Sequence, residues 1–387
     1  MKNIIVLLPG PFLKRDYDRF GIEILKKNFS VKVFDCTAWL NRNFWQNYVQ
    51  NVYKSKEHIV ISCKEDFLKS ISKINNAIVI DCLPNNRKAH WIRKFFKEKK
   101  NLLVVVHAGL IPLPKVNLIL ILKKIFSLIL KPRKFISKIY NFLQQRHYSI
   151  SRPVPDVSFL GGLAASNVNK SKIKINAHSL NYDVYLKIKN KETKNNSYAV
   201  FLDEDMVYHP DLPYLNIDRP VTEQEYYPPL LKFFRKFEKE TGLKIKFAAH
   251  PKSLKKSRSK LPLDIDYSIG NTEELVKNSS LVLLHSSTSI SYAILFKKPI
   301  IFLTSNELMK SWIGPRIDNF SKVLNGILVN MSVDTNERLN LQSLLKIDEH
   351  KYKNYLDQYI KVPNSPSLPL WEIFAQYFKE NNFQEIK

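Results

Sequence analysis

Short apolar runs recur along the chain at the spacing of an alternating β/α protein. NIIVLL (3–8), VKVFDC (31–36), HIVISC (58–63), NAIVIDC (76–82) and LLVVVHAG (102–109) read as strands. Helical patterns lie between several of them, clearest in RFGIEILKKN and RKAHWIRKFFKEKK. The strand candidates are continuous β-branched runs, not apolar–polar alternations. Such runs predict strands covered on both faces, hence parallel sheets. PDVSFLGG (155–162) and KINAHSLNYDVYL (174–186) read as the last strands of this half, and the polar KIKNKETKNNS (187–197) as a linker.

A second series begins at YAVFLDED (198–205). A helix is predicted over 223–242, with Thr222 as N-cap and Gly242 at its end. KIKFAAHPKS (244–253) reads as a strand entering a loop, and TEELVKNSS (272–280) as a short helix capped at Thr272. LVLLHSSTS reads as a strand running into a helix, KPIIFLT (298–304) as another strand, and NERLNLQSLLKI and LWEIFAQYFKEN as helices. The expected architecture is α/β: two Rossmann-like domains whose parallel sheets face a central cleft. Residues 1–190 form the first domain and 198–330 the second, with 331–387 as C-terminal helices packing back on the cleft or the first domain.

Residues 115–146 break the rhythm. They carry eight Lys/Arg and no acid, with Leu/Ile blocks between the basic clusters. No apolar run there is long enough to cross a bilayer, and the pattern fits a segment lying at an anionic membrane interface. Pro132 is expected to break or kink it. The whole chain, 387 residues with a net charge of +26, asks for an acidic partner: nucleic acid, an anionic membrane or a phosphorylated substrate. Cys36, Cys63 and Cys82 are widely spaced, without metal spacing, and read as reduced core residues. The apolar run Ile4–Leu8 is too short for a signal peptide and enters Pro9-Gly10-Pro11. A cytoplasmic protein, peripheral at the inner face of the membrane, is expected.

The candidate chemistry sits at strand ends. Ser286, Ser287, Thr288 and Ser289 crowd four hydroxyls where one strand hands over to a helix. An N-cap needs one hydroxyl; four beside unpartnered backbone N–H groups suit a phosphate. His250, Pro251 and Lys252 follow the preceding strand, where a histidine can donate to phosphate or ribose. Asp203, Glu204 and Asp205 place three carboxylates at a third strand end, where burial and mutual repulsion can raise one pKa enough for base work. Asp16, Asp18 and His107 are acid–base candidates in the first half. There is no GxGxxG, P-loop, GxSxG or zinc spacing, so neither metal nor cofactor is expected.

The order His-Pro (His250, Pro251) then Ser-Ser-Thr (Ser286, Ser287, Thr288) resembles bacterial sialyltransferases and Kdo transferases of the GT-B fold. The resemblance implies that His250 contacts the cytidylate phosphate region of a CMP-sugar and that Ser286, Ser287 and Thr288 hold its phosphate. Those families also carry an acidic pair followed by glycine, one acid being the general base. Asp203-Glu204 is the matching pair here, with Asp205 in the glycine position. The implied activity is metal-independent transfer of a sialic acid- or Kdo-like sugar from a CMP donor to a cell-surface glycan (lipopolysaccharide, capsule or O-antigen), with Asp203, Glu204 and Asp16 as catalytic candidates. A UDP- or GDP-sugar transferase, or a sugar-nucleotide epimerase of the same fold, would want the same strand ends. A third reading, a non-enzymatic nucleic-acid-binding protein, accounts for the charge, but the basic residues are dispersed and no nucleic-acid motif is present.

Overall fold

The computed structural model describes residues 2–72, 74–114, 132–168, 170–193, 197–209, 211–212, 217–253, 255–333 and 340–381. The described residues fall into two compact units, one within 2–108, 132–178 and 364–381, the other within 109–114 and 179–363. The chain thus passes between units at His178–Ser179, ahead of the polar stretch 187–197. Residues 340–363 belong to the second unit, and the helix Leu370–Glu380 to the first.

The first unit holds seven strands: β1 (Lys2–Leu8), β2 (Phe29–Asp35), β3 (His58–Val60), β4 (Ala77–Asp81), β5 (Leu102–His107), β6 (Val157–Leu160) and β7 (Ile173–Asn176). Their order is β3-β2-β1-β4-β5-β6-β7, and every pairing is parallel. Ile5, Leu7, Phe34 and Val79 point to one face, against Phe67 and the Ala89, Ile92 and Phe96 stripe of the helix Arg87–Glu98. Asp81 ends β4 and pairs with buried Arg93 (Nε 2.6 Å) and with Arg152 (Nη2 2.7 Å).

The second unit repeats the plan with β8 (Tyr198–Leu202), β9 (Lys244–Ala249), β10 (Asp266–Ile269), β11 (Leu281–Leu284), β12 (Ile300–Thr304) and β13 (Ile327–Asn330). The order is β10-β9-β8-β11-β12-β13, again wholly parallel. Alternate residues of β8 serve two cores. Ala199 and Phe201 pack with Phe233, Phe234 and Phe237 of the helix Glu223–Thr241. Val200 and Leu202 pack with Ile290, Ala293 and Tyr355 on the other face. This is why the strand reads as an unbroken apolar run.

Three expectations are corrected. KINAHSLNYDVYL is a strand only over Ile173–Asn176; Leu180–Ile188 is a helix, because the pattern after Ser179 buries Tyr182 and Ile188 and sets Tyr185 against Phe296. HIVISC ends as a strand at Val60, since Cys63 caps the next helix, its Sγ accepting from Asp66 N–H. The helix Thr272–Asn278 has Asn271, not Thr272, in the cap position. Thr222 and Gly242 do bound their helix: Thr222 and Glu225 form a reciprocal capping box, and Gly242 closes it at φ +74°. The three cysteines are free.

Of the basic stretch 115–146, residues 115–131 lie outside the described residues. The remainder begins a helix, Pro132–Ile150, with Pro132 as its first residue, where the missing N–H costs nothing. Among the described residues no helix is long and apolar enough to cross a membrane.

Candidate functional site

In both sheets the strand order reverses direction about the first strand, at β1/β4 and at β8/β11. Crevices beyond the carboxyl ends of such strands are where doubly wound sheets take ligands. In the second unit, β9, β8 and β11 lie side by side at that point. They carry the His250 loop, the Asp203–Asp205 turn and the Ser286–Ser289 turn.

Asp203 is buried and follows β8 directly. Its carboxylate accepts the Asp205 N–H (2.9 Å), the His250 N–H and, at 3.4 Å, the Ser253 hydroxyl. Burial, then the neighbouring Asp205 charge, pushes its pKa up to about 7, against an ordinary 3.8. Asp205 has φ +49°, the left-handed region that glycine adopts without strain. Aspartate tolerates it better than most residues, and here the carboxylate is held by Ser257 Oγ (2.9 and 3.0 Å) and the Tyr208 N–H. The position at which the resembled families carry glycine therefore has a glycine-like conformation.

Glu204 reaches the other way. Its Oε1 accepts the Ser286 N–H at 2.6 Å and its Oε2 the Ser286 hydroxyl at 3.2 Å. Burial raises its pKa, while Arg316 and the Ser286 donors oppose that. Arg316, in the first turn of the helix Gly314–Leu324, donates from Nη2 to the Ser286 carbonyl at 2.9 Å, and its buried Nε has no partner among the described residues. Gly314 lets this helix end come close: a Cβ there would lie 2.4 Å from the Met309 carbonyl oxygen.

The four hydroxyls are not equivalent. Ser286 is engaged by Glu204, and Ser287 Oγ accepts from Ser289 N–H at 3.3 Å. No described residue takes the hydroxyls of Thr288, which is exposed, or Ser289, which is half-buried. His285, just before them, is a core residue: Nδ1 donates to the Leu303 carbonyl (2.7 Å), so Nε2 accepts from Tyr226 OH (3.0 Å). Burial drops its pKa to about 4, so it stays neutral.

His250 has a companion outside the strand-end candidates, His209. The His209 ring lies 4.6 Å from the His250 ring, centroid to centroid. Each Nδ1 accepts a backbone N–H two residues on, from Asp211 (3.1 Å) and Lys252 (3.2 Å). In its neutral form each ring therefore carries its proton on Nε2. Burial, with Lys252 nearby, lowers the His209 pKa. Lys252 Nζ bridges to both oxygens of Asp211 (2.9 and 2.7 Å). Pro251 is exposed in the turn. A signal for His209 was present: His209-Pro210 repeats the dipeptide His250-Pro251. Arg316 had none beyond the punctuation of Gly314-Pro315.

The first-unit candidates lie elsewhere in the chain's organisation. Asp16 is in the helix Lys14–Arg19 and accepts the Leu13 N–H at 3.1 Å, a capping role. Asp18 pairs with Lys14, one turn away. His107 ends β5, its pKa lowered by burial and then by Arg152. Among the described residues no three His, Cys, Asp or Glu side chains are grouped to hold a metal.

No family model matches this chain, and no curated protein matches it in sequence. Solved structures do match in shape. A putative UDP-N-acetylglucosamine 2-epimerase from Listeria monocytogenes aligns over 98% of this chain and 97% of its own, at 11% identity and TM-score 0.50. The glycotransferase of kitacinnamycin aligns over 98% of each chain, at 7% identity and TM-score 0.50. The chain has the GT-B fold. At such identities the likeness is one of fold alone.

Proposed function

We propose that the chain is a glycosyltransferase acting on a nucleotide-diphosphate sugar, with the donor phosphates at the carboxyl ends of β9, β8 and β11. The observation that carries this reading is the composition of that edge. Cationic or N–H-donating groups (His209, His250, Lys252, Arg316) and the hydroxyls of Ser287, Thr288 and Ser289 flank three carboxyls: Glu204 is held by Ser286, Asp205 by Ser257, and buried Asp203 has a pKa near neutrality. Two donor clusters on either side of β8 suit two phosphates. The UDP named in the epimerase neighbour is consistent with that choice.

In the proposed reaction an acceptor hydroxyl attacks the anomeric carbon. The bond from that carbon to the phosphate oxygen breaks, and the diphosphate leaves with the electron pair. Asp203 takes the acceptor proton, for which a pKa near the working pH is suited. Fixed donors at the strand ends stabilise the departing charge. Glu204 holds the Ser286 N–H, which leaves Ser287 to Ser289 as the hydroxyl contacts to phosphate.

A CMP-linked sialic acid- or Kdo-like donor is the second reading, favoured by the glycine-like φ at Asp205. Thermal unfolding with CMP, CDP, UMP, UDP and GDP separates the two. The proposal expects the largest stabilisation from a nucleoside diphosphate, lost in His250→Ala. Stabilisation by CMP alone moves the donor to the second reading, and no shift with any nucleotide overturns both. Incubation with UDP-N-acetylglucosamine then distinguishes chemistry: free UDP signals transfer or hydrolysis, whereas an epimer still linked to UDP signals the epimerase alternative.

A further inference from the structure

Over its described side chains, 139–140 and 142–150, the helix Pro132–Ile150 is turned inside out. Ile139, Leu143, Arg146 and Ile150 are spaced i, i+4, i+7 and i+11, so they share one face. That face is exposed: Ile139 by 41%, Leu143 by 57% and Ile150 by 71%, with Phe142 beside it at 60%. The side facing the unit is polar. Gln144 and Tyr148 are half-buried, and Tyr148 meets His90 of the helix Arg87–Glu98 at a ring distance of 5.5 Å. A helix that only covered the sheet would point its isoleucines and leucines the other way.

From the geometry we infer that this outward face is a docking surface for an anionic lipid bilayer. Charge selects the occupant. From Lys99 to Pro155 the sequence holds eleven Lys/Arg and no Asp or Glu. Arg146 lies within the apolar stripe, and Arg87, Lys88 and Lys94 are exposed on the adjacent helix. Lys94 and His147 both lie near His90, so the two helices meet there. An apolar stripe that includes Arg146, on a helix whose neighbour carries exposed Arg87, Lys88 and Lys94, suits the boundary between acyl chains and acidic headgroups. A second copy of the chain would set Arg146 and its basic neighbours against their own kind, an unfavourable pairing. This surface is independent of the nucleotide reading.

The test is flotation of the full chain with vesicles of phosphatidylcholine containing phosphatidylglycerol, against phosphatidylcholine alone. The inference expects binding to the anionic vesicles only, weakened by salt. The Phe142→Glu/Leu143→Glu variant should lose at least roughly tenfold in partitioning, since two apolar side chains leave the interface and two anions enter. Both positions are exposed, so its unfolding temperature should match wild type. Amide exchange of wild type with and without anionic vesicles gives a reading free of any variant, and protection over 139–150 is expected. No binding to anionic vesicles, equal binding by the variant, unchanged exchange over 139–150, or a wild-type dimer that the variant dissociates would each overturn it.

Discussion

Replacing Asp203 by asparagine should change how stability depends on pH, by an amount the structure sets. In the unfolded chain the carboxyl ionises near its ordinary 3.8; in the folded protein burial and the Asp205 charge move this to about 7. Between those values folding takes up a proton, so the stability associated with the protonated carboxyl is fully present below about pH 4. It is lost as pH rises through about 7. The slope is about 1.4 kcal/mol per pH unit, and over roughly three units the loss reaches about 4 kcal/mol. The carboxamide of Asp203→Asn does not titrate, and it retains an oxygen for the Asp205 N–H. The assay is urea unfolding of wild type and Asp203→Asn at half-unit steps from pH 4 to 8.5. Subtracting the two curves removes groups common to both. Wild type should lose stability relative to the variant steadily up to about pH 7, then run parallel to it. A difference that does not vary with pH would refute the buried, neutral carboxyl, and with it the case for Asp203 as a base.

Other predictions follow from individual contacts. Arg316→Ala should weaken nucleoside diphosphate binding about tenfold by calorimetry, and Arg316→Lys should recover only part of it, because the Nη2 bond to the Ser286 carbonyl needs the guanidinium. His209→Ala and His250→Ala should be non-additive in nucleotide affinity, coupled by about 1 kcal/mol, since the rings pack on each other. Gly314→Ala should destabilise the chain by about 1–3 kcal/mol in urea unfolding, because its Cβ would meet the Met309 carbonyl oxygen at 2.4 Å and the helix would have to withdraw.

The central strands were legible in the sequence because both of their faces are buried, whereas the outer strands Asp266–Ile269 and Ile327–Asn330, exposed or half-buried along their length, carry no long apolar run that marks them. YAVFL and LVLL have no polar position to obscure the period, and alternate residues feed different cores. Where one side is covered by neighbouring elements of mixed character, the local pattern misleads. NYDVYLKI is rich in strand-favouring residues, yet its tyrosines pack as one side of a helix. The strand ends bearing candidate chemistry were legible for the same reason as the strands, since a polar cluster after an apolar run marks where the sheet stops. What each side chain does there was not. His285 and Ser286 sit next to each other, but one is sealed into the core by Tyr226 and Leu303 and the other is claimed by Glu204, 82 residues earlier. Arg316 enters through a helix whose approach depends on a backbone contact at Gly314, which no local pattern announces.

The central claim is that nucleotide phosphates are held at the carboxyl ends of β9, β8 and β11. Amide hydrogen exchange, with and without saturating UDP, tests it on the wild-type chain. The account predicts slowed exchange confined to three segments of the second unit, 203–209, 250–253 and 286–290, with the central strands unchanged. Protection at the β1 and β4 ends of the first unit instead, or none in those three segments despite measurable UDP binding, would contradict it.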